Sequence, residues 1–427
     1  MRAWPLLSIA AGLALAACAG CRHAAPASRQ LPTGDVLDPA GGRIGLGSMP
    51  VAAALSPDSN RIVVVLSGYR DQGVQVVDVA SRSVVQTLVQ PAAFLGACFA
   101  PDGRTLFVSG GDRDVVYRYA WRAGRATLAD SLALGPTPAP DEGRRFPAGL
   151  ACSPDGRRLY VAENLADSLA VVDLGSGRVT ARLATGRYPC AVAVQPDGRV
   201  FVSAWGDAWV ASFPPRAGGL APGPRIAVGR HPSTLLLDAG ASRLYAACAG
   251  SDRIAVVDTR TDSVVAALDD AAPFGPREGS TPLGLALSPD RGRLYAAEAD
   301  NDAVAVFALS AATSGAAAGA ARDSLLGRVP VEWYPCALLV RGGWLWVVNG
   351  KGGGTGPNPR LSQPGRPHGR EAGQYTLGQL AGSLGLVAAP DDRDLPALSR
   401  RVAAANHWDR PPADAALPPF RHVVYVL

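Results

Sequence analysis

Apolar and polar positions follow one pattern along this chain, and the pattern recurs seven times. In the third copy, apolar residues 149–152 lead into a Ser-Pro-Asp-Gly corner, and a second apolar run occupies residues 159–162. A third run ends at Asp173, and residues 178–185 then alternate between apolar and polar. Continuous apolar runs are typical of strands covered on both faces, and alternation is typical of a half-exposed strand. Each copy therefore predicts four short strands, of which the last is an exposed edge.

Two prolines mark the period of the repeat. The corner proline is Pro57, Pro101, Pro154, Pro196 and Pro289, and Ala239 and Gly342 hold its place in two degraded copies. Seven residues earlier stand Pro50, Pro147, Pro189, Pro232, Pro282 and Pro335, and only the second copy differs, with Phe94. Four-stranded units repeating every 40 to 50 residues or so are the signature of a β-propeller. The sequence predicts an all-β fold, a seven-bladed propeller over residues 35–410, whereas a β-sandwich would not need a fixed period.

The ring needs a closing strand, and the start of the chain supplies one. Residues 36–50 have the form of the third copy's outer strand and its flanks. The seventh copy has its third strand at residues 383–389, after a loop insertion at 350–382, but it has no outer strand of its own. We predict that residues 43–47 complete the seventh blade, so deleting residues 36–47 would expose a strand edge.

The second strand of the third copy reads Leu-Tyr-Val-Ala-Glu-Asn at residues 159–164. It is similar to the Tyr-Val-Thr-Asn strand that names the YVTN family of propeller repeats. Related strands in other copies read LFVSG, VFVSA, LYAAC and LYAAE. The resemblance extends over about residues 36–350. It implies the propeller fold, but the motif supplies strands and no catalytic residue.

The N-terminus has the features of an export signal. Arg2 precedes an apolar stretch at residues 6–17, which is too short to span a bilayer as a helix. Leu15-Ala16-Ala17 before Cys18 resembles a bacterial lipobox, in which the cysteine receives a lipid. We predict a lipoprotein signal peptide at 1–17, lipidation of Cys18 and a flexible linker at 18–34. The alternative is an ordinary signal peptide cut nearby. With a lipid on Cys18, the protein is expected to be exported to the periplasm or outer cell envelope and anchored to the membrane.

Composition excludes several classes of site. The chain has 427 residues and a net charge of +5, and its cations are arginines scattered along the chain, apart from Lys351. This distribution favours a solvated surface and argues against a nucleic-acid partner. No CxxC pair or His-Cys cluster occurs beyond the leader, so no metal site is predicted. Five cysteines lie inside apolar runs and are expected to be buried free thiols. They are Cys98, Cys152, Cys190, Cys248 and Cys336.

Loops at one mouth of the ring form the candidate ligand site. Loops that enter first strands contain Arg187, Tyr188, Arg230, His231, Glu332, Trp333 and Tyr334. Loops that follow second strands contain Tyr69, Arg70, Asp112, Arg113, Glu163, Asn164, Trp205, Glu298 and Asn349. Strand direction brings both sets to the same mouth, where arginines and aromatic rings suit an anionic or sugar-like ligand, or a protein. The simpler interpretation is a polar rim without a ligand.

The C-terminal part has a different character. After the Gly- and Pro-rich insertion, residues 394–408 predict a helix capped by Asp394, with Leu395, Leu398, Val402 and Ala405 on one face. The Asn-Gly-Lys-Gly stretch, the GPNP motif and the final HVVYV run resemble bacterial fusions of a YVTN propeller to a phosphoesterase of the alkaline-phosphatase superfamily. That resemblance makes residues 411–427 a linker and the first strand of a truncated α/β domain. It implies a divalent metal in the missing domain, and no cofactor in this chain.

Two functions follow from these observations. The first is a lipid-anchored binding or scaffold propeller whose missing C-terminal domain resembles a metal-dependent phosphoesterase. The alternative is a free-standing lactonase-like hydrolase that uses mouth residues on a cyclic ester. No catalytic set is identifiable, although Glu163, Glu298, Glu332 and His231 are the available acid–base groups. His231 is the only histidine in the repeats, and the simpler interpretation is a surface residue.

Overall fold

The computed structural model describes residues 29–136, 144–274, 278–310, 323–354 and 376–410. Within them, seven four-stranded antiparallel sheets follow one another along the chain. Six of these sheets have their strands in sequence order, and the seventh takes its outer strand from residues 42–45. The predicted seven-bladed β-propeller is therefore confirmed. The signal peptide, Cys18, most of the 350–382 insertion and residues 411–427 lie outside the described residues.

The blades are bounded as follows. Blade 1 consists of Pro50–Leu55, Arg61–Leu66, Gln72–Asp78 and Ser83–Gln90, and blade 2 of Ala97–Phe99, Thr105–Ser109, Val115–Arg122 and Arg125–Ala133. Blade 3 consists of Pro147–Cys152, Arg158–Glu163, Ser168–Asp173 and Arg178–Ala184. Blade 4 consists of Pro189–Val194, Val200–Ala204, Trp209–Phe213 and Arg225–Ala227, with a small hairpin of Pro215–Arg216 and Gly219–Leu220.

The remaining blades follow the same plan. Blade 5 consists of Pro232–Asp238, Arg243–Cys248, Arg253–Asp258 and Ser263–Asp269, and blade 6 of Pro282–Leu287, Arg293–Glu298, Ala303–Ala308 and Ser324–Pro330. Blade 7 consists of Trp333–Arg341, Trp344–Gly352, Ser383–Ala388 and, from the start of the chain, Gly42–Gly45. Three short 3-10 helices are Gly111–Arg113, Asn164–Ala166 and Thr376–Gln379.

The first and last blades share the beginning of the chain, as predicted. Gly42–Gly45 runs antiparallel to Ser383–Ala388, with Ile44 opposite Leu384. Ile44 packs against Trp346 and its neighbours at the junction of blades 7 and 1. Beyond the strand, Leu46 donates to the carbonyl of Gly382 and the carbonyl of Gly47 accepts the N–H of Gly382, so the predicted pairing of residues 43–47 with blade 7 is confirmed. The N–H of Gly47 also donates to the side chain of Gln75 in blade 1. This hydrogen bond ties the closing segment to both blades.

Three of the five Pro-Asp corners are held by the same serine hydrogen bonds. In blade 3 the Ser153 hydroxyl donates to Asp155 at 2.5 Å and accepts the N–H of Arg158 at 2.9 Å. Gly156 follows with a φ of +69°, which an L side chain would adopt only with strain. The same serine and aspartate pair closes the corners of blade 1 and blade 6. The repeated motif is thus a turn that sets the register of the first two strands.

The core lies between the blades rather than inside any one of them. Second and third strands are almost fully buried on both faces, and each apolar cluster joins the facing surfaces of two neighbouring blades. At the junction of blades 2 and 3, for example, Phe107 packs with Leu159 and Val161. A single blade would leave these strands exposed, so the closed ring is the smallest unit that buries them.

The first and last segments that the structure describes pack beside blades 6 and 7. The helix Leu395–Ala405 places Leu395 and Val402 in the core, as predicted, but the Asp394 side chain makes no capping hydrogen bond because its backbone is already helical. Residues 29–34, assigned to a flexible linker from composition, instead form a packed turn: Leu31 is buried, and Val36 donates to the carbonyl of Ala405. Among the described helices, none is both long and apolar enough to cross a membrane.

Candidate functional site

The mouth is built from one backbone device that recurs around the ring. The residue before the first-strand proline adopts a left-handed conformation, with φ between 45° and 64°, in six blades. These residues are Met49, Phe146, Tyr188, His231, Thr281 and Tyr334. The carbonyl of His231 accepts the N–H of Ala249, just after the second strand, and Tyr188 and Trp205 are linked in the same way. Both sets of loops predicted for the mouth are therefore hydrogen-bonded together at one end of the ring.

Aspartates clamp four of these six turns to the preceding blade. The carboxylate of Asp167, at the start of a third strand, accepts the backbone N–H of Tyr188 at 2.9 Å, and Asp302 accepts that of Tyr334 at 2.8 Å. Asp114 and Asp252 play the same part for the turns at Phe146 and Thr281. Burial raises the pKa of Asp302 to about 7, against the lowering effect of its backbone hydrogen bond. These clamps make the mouth a fixed platform.

Three aromatic side chains from two blades meet on this platform. Trp205 stacks on the imidazole of His231 with ring centroids 4.2 Å apart and planes 13° apart. Tyr188 meets the same indole edge-on at 6.5 Å. Tyr188 is 44% and Trp205 39% exposed, which is unusual for large aromatic rings. We call Tyr188, Trp205 and His231 the aromatic cluster.

Two ion pairs flank the aromatic cluster. Arg187 pairs with Asp207 at 3.1 Å, and Arg230 pairs with Glu278. Both arginines are more than half exposed, so each pair is weak and could exchange its carboxylate for a ligand's at little cost. Gly250 lies against the Nδ1 side of His231, where a Cβ atom would come within 2.5 Å. A side chain at position 250 would displace the imidazole from its stack.

A second group at the mouth lies on blade 7. The ammonium of Lys351 is 4.1 Å from the ring centroid of Tyr334 and 5.1 Å from that of Trp333. Contacts of this kind hold a cation through the negative face of the ring. In the structure, the rings of the predicted residues Trp333 and Tyr334 thus hold the ammonium of Lys351. Tyr334 also forms the turn that leads into blade 7.

The three glutamates proposed as acid–base groups are not exposed at the mouth. Glu163 and Glu298 are the last residues of second strands rather than loop residues, and both are fully buried. Arg182 holds Glu163 at 2.9 Å, and Arg328 holds Glu298 at 2.8 Å. Glu332 is buried too, where it pairs with Arg43 at 3.3 Å and accepts from Ser383. A charged residue at the end of an apolar run is usually the first residue of a loop. The sequence pattern therefore placed these glutamates on exposed loops, and this prediction was wrong.

A signal for these partners was present in the sequence. Arginine stands seven residues before the first-strand proline in four copies, at Arg43, Arg182, Arg225 and Arg328. The position lies on the fourth strand, from which the side chain reaches over the blade. Three of these arginines hold a buried glutamate, and the guanidinium of Arg225 lies 4.8 Å above the ring of Trp209.

Blade 6 has the densest buried charge. Asp270 follows the outer strand of blade 5 and is fully buried near Glu298 and Arg328. Burial, reinforced by the charge of Glu298, raises the pKa of Asp270 well above its usual range, and burial also raises the pKa of Glu298. Arg328 opposes both shifts and donates to the carbonyl of Ala271, while Trp408 covers its guanidinium. This group supports the junction of blades 5 and 6.

The remaining predicted residues have structural contacts. Arg70 donates to the carbonyl of Leu380, and Asn164 donates to that of Pro189 in the next blade. Asn349 is buried inside the second strand of blade 7, and Asp112 and Arg113 belong to a 3-10 turn. Tyr69 is 53% exposed. Within the described residues, no group of three or more His, Cys, Asp or Glu side chains is placed to hold a metal ion.

Comparison with known proteins gives one family match. Residues 96–208 match the model of the family described as "Lactonase, 7-bladed beta-propeller". The matched part extends from the start of blade 2 to the loop after the second strand of blade 4 and includes Tyr188 and Trp205. No curated protein matches the sequence.

Solved structures match a larger part of the chain, but at low sequence identity. Hydrazine synthase of Kuenenia stuttgartiensis superposes with a TM-score of 0.56 at 18% identity, over 71% of this chain and 93% of that one. A putative 6-phosphogluconolactonase from Bacteroides uniformis gives 0.55 at 15%, over 67% and 89%. The periplasmic gluconolactonase PpgL of Pseudomonas aeruginosa gives 0.50 at 20%, over 64% and 85%. The chain is a seven-bladed β-propeller, and within residues 96–208 its sequence is similar to the lactonase family.

Proposed function

We propose that this protein is a lactonase-like hydrolase that opens the cyclic ester of a sugar-derived lactone at the aromatic cluster. The observation that supports it most is the position of the cluster: Tyr188 and Trp205 lie inside the part of the chain that matches the lactonase family. Exposed aromatic faces beside a few polar groups are typical of sites for small organic rings. This is the alternative raised from the sequence, and it now becomes the leading hypothesis.

The chemistry needs a base, an attacking water and a stabilised oxyanion. In the proposed step, an imidazole nitrogen of His231 takes a proton from water, and the oxygen attacks the lactone carbonyl carbon. Arg187 and Arg230 flank the cluster and would stabilise the negative charge that develops on the carbonyl oxygen. The ring C–O bond then breaks, and His231 returns the proton to the leaving oxygen. The product is an open-chain hydroxy acid.

The buried glutamates have a supporting role in this proposal. Glu163, Glu298 and Glu332 each form an ion pair beneath the rim, so they hold strands in place and do not face the substrate. The proposal therefore rests on His231 as the base. This choice makes it sharply testable, because one side chain should account for most of the rate.

The test measures loss of five- and six-membered aldonolactones by the purified full chain, after subtraction of spontaneous hydrolysis. His231→Ala should lower kcat by about 100-fold or more, the usual contribution of a general base. Trp205→Ala should raise KM by about fivefold, since an aromatic contact contributes about 1 kcal/mol. Tyr69→Ala is the matched control, because it removes an exposed aromatic ring at the mouth of another blade. It should change neither constant.

Two results would contradict the proposal. The first is lactone hydrolysis no faster than the spontaneous rate in a chain that is shown to be folded. The second is turnover that His231→Ala and Tyr69→Ala reduce equally.

A second candidate keeps the propeller as a binding or scaffold domain, tethered outside the cytoplasm by a lipid on Cys18 and joined to a phosphoesterase domain. Neutralisation of all three candidate acids by arginines favours this function, because it suits binding without turnover. Calorimetry with sugar acids would then show binding at the cluster, weakened by Trp205→Ala, while lactones stay intact. Mass spectrometry of the mature N-terminus tests the anchor separately.

A further inference from the structure

Two cysteines on neighbouring blades lie in contact, and the proposed hydrolase does not use them. The Sγ atoms of Cys98 and Cys152 are 4.0 Å apart. Both are free thiols and both are half-buried, whereas Cys190 and Cys248 are buried in the core. They lie on the innermost strands of blades 2 and 3, within the apolar cluster that joins the two blades.

The repeat explains why these two side chains face each other. Cys98 pairs with Phe107 across blade 2, and the equivalent aromatic of blade 3, Tyr160, pairs with Ala151. Cys98 therefore corresponds to Ala151, one position before Cys152. Because successive side chains on a strand point to opposite faces, the two cysteines project from opposite faces of their own blades. Those two faces meet at one junction.

We propose that Cys98 and Cys152 form a disulfide bond across the junction of blades 2 and 3 when the folded chain meets a disulfide oxidant such as oxidised glutathione. In the first step, a thiolate attacks the glutathione disulfide and releases one glutathione thiol. The second cysteine then attacks the mixed disulfide and releases the other. The two protein thiols lose two protons and two electrons, and one glutathione disulfide becomes two thiols.

The geometry requires only a local movement. A disulfide has an S–S length of about 2.05 Å, so the sulfurs must approach by about 2 Å through side-chain rotation. The contact with Cys152, together with burial, raises the pKa of the Cys98 thiol well above its ordinary value. Thiolate is the attacking species, so the bond should form slowly at neutral pH and faster as pH rises.

The decisive experiment maps thiols in the wild-type full chain. The folded protein is incubated with oxidised glutathione at pH 8, its free thiols are alkylated, and it is digested with trypsin without reduction. Trypsin places Cys98 in peptide 83–104 and Cys152 in peptide 146–157. The expected result is these two peptides joined, lighter by two hydrogens than their sum and separated by dithiothreitol. Recovery of both as separate alkylated peptides, or of either joined to another cysteine, would overturn the proposal.

Matched variants give an independent readout. Oxidation should raise the melting temperature of the wild-type chain, because the cross-link restricts the unfolded chain. Cys248→Ala, which removes a buried cysteine elsewhere, should keep the rise, and Cys152→Ala should abolish it. An equal rise in both variants would contradict the assignment, and peptide mapping of the wild type decides the question if either variant fails to fold.

Discussion

Ring closure by the first strand gives the most direct test of the fold. Ile44 is 8% exposed and packs in the cluster between blades 7 and 1. Ile44→Ala removes three buried carbon atoms, at about 0.8 kcal/mol each, and leaves a cavity that the sheet can only partly fill. We expect a loss of about 2–3 kcal/mol in the free energy of unfolding.

The expected shift in melting temperature is small but measurable. A propeller of roughly 375 residues unfolds with an entropy of about 0.8 kcal/mol per kelvin, so 2–3 kcal/mol corresponds to about 3 °C. The matched control is Val265→Ala, on the fourth strand of blade 5, where the side chain is 56% exposed. It should change the free energy of unfolding by less than about 0.5 kcal/mol. The melting temperatures are measured by calorimetry, and urea unfolding of both variants gives the free energies of unfolding independently.

If Ile44→Ala and Val265→Ala lowered the free energy of unfolding equally, the closing strand would not stabilise the ring as proposed. Deletion of residues 36–47 provides a stronger form of the test. It removes the partner of Ser383–Ala388 and exposes a strand edge that other chains can pair with. We therefore expect aggregation as well as lower stability, and an unchanged melting profile would refute the closure.

Two further predictions concern buried charge. Arg328→Met leaves Glu298 buried without its cation and should lower the free energy of unfolding in urea by about 3–5 kcal/mol. Arg260→Met, at an exposed ion pair, should leave it nearly unchanged, and equal losses in the two variants would contradict the stabilising role of the buried pair. Asp302 holds its proton up to about pH 7 in the folded chain but only up to about pH 3.8 in the unfolded chain, so the contribution of this carboxyl to stability is lost as pH rises through this window. The melting temperature of Asp302→Asn minus that of the wild type should therefore increase from pH 4 to 7 and then level off; a constant difference would refute this.

The architecture was predictable because its determinants are local and repeated. Pro147 and Pro154 fix one first strand and its corner by their own restricted backbones, and the same spacing recurs around the ring. The closing strand was predictable by comparison with the third copy, and so was the pairing of residues 43–47 with blade 7. The hydrogen bond from Gly47 to Gln75 was not, because only the folded ring brings these two residues together.

The candidate site was less predictable, because its contacts join different blades. The stacking of Trp205 on His231 depends on the orientation of blade 4 relative to blade 5. No local sequence pattern predicts that orientation. Glu163 was placed on an exposed loop because charges at strand ends usually lie there. Its burial depends on Arg182, nineteen residues later and two strands away. Recognising the arginine that recurs seven residues before the proline would have found this pair.

The closing strand also decides when the molecule can finish folding. Ile44 and Leu384 are neighbours, although about 340 residues of chain separate them. The closing strand must therefore wait, unpaired, until the chain has been synthesised as far as residues 383–388. Bringing such distant segments together costs chain entropy before any contact rewards it, which slows folding. A circular permutant that joins residue 42 directly behind residue 388 would make this pairing local and should fold faster to the same ring.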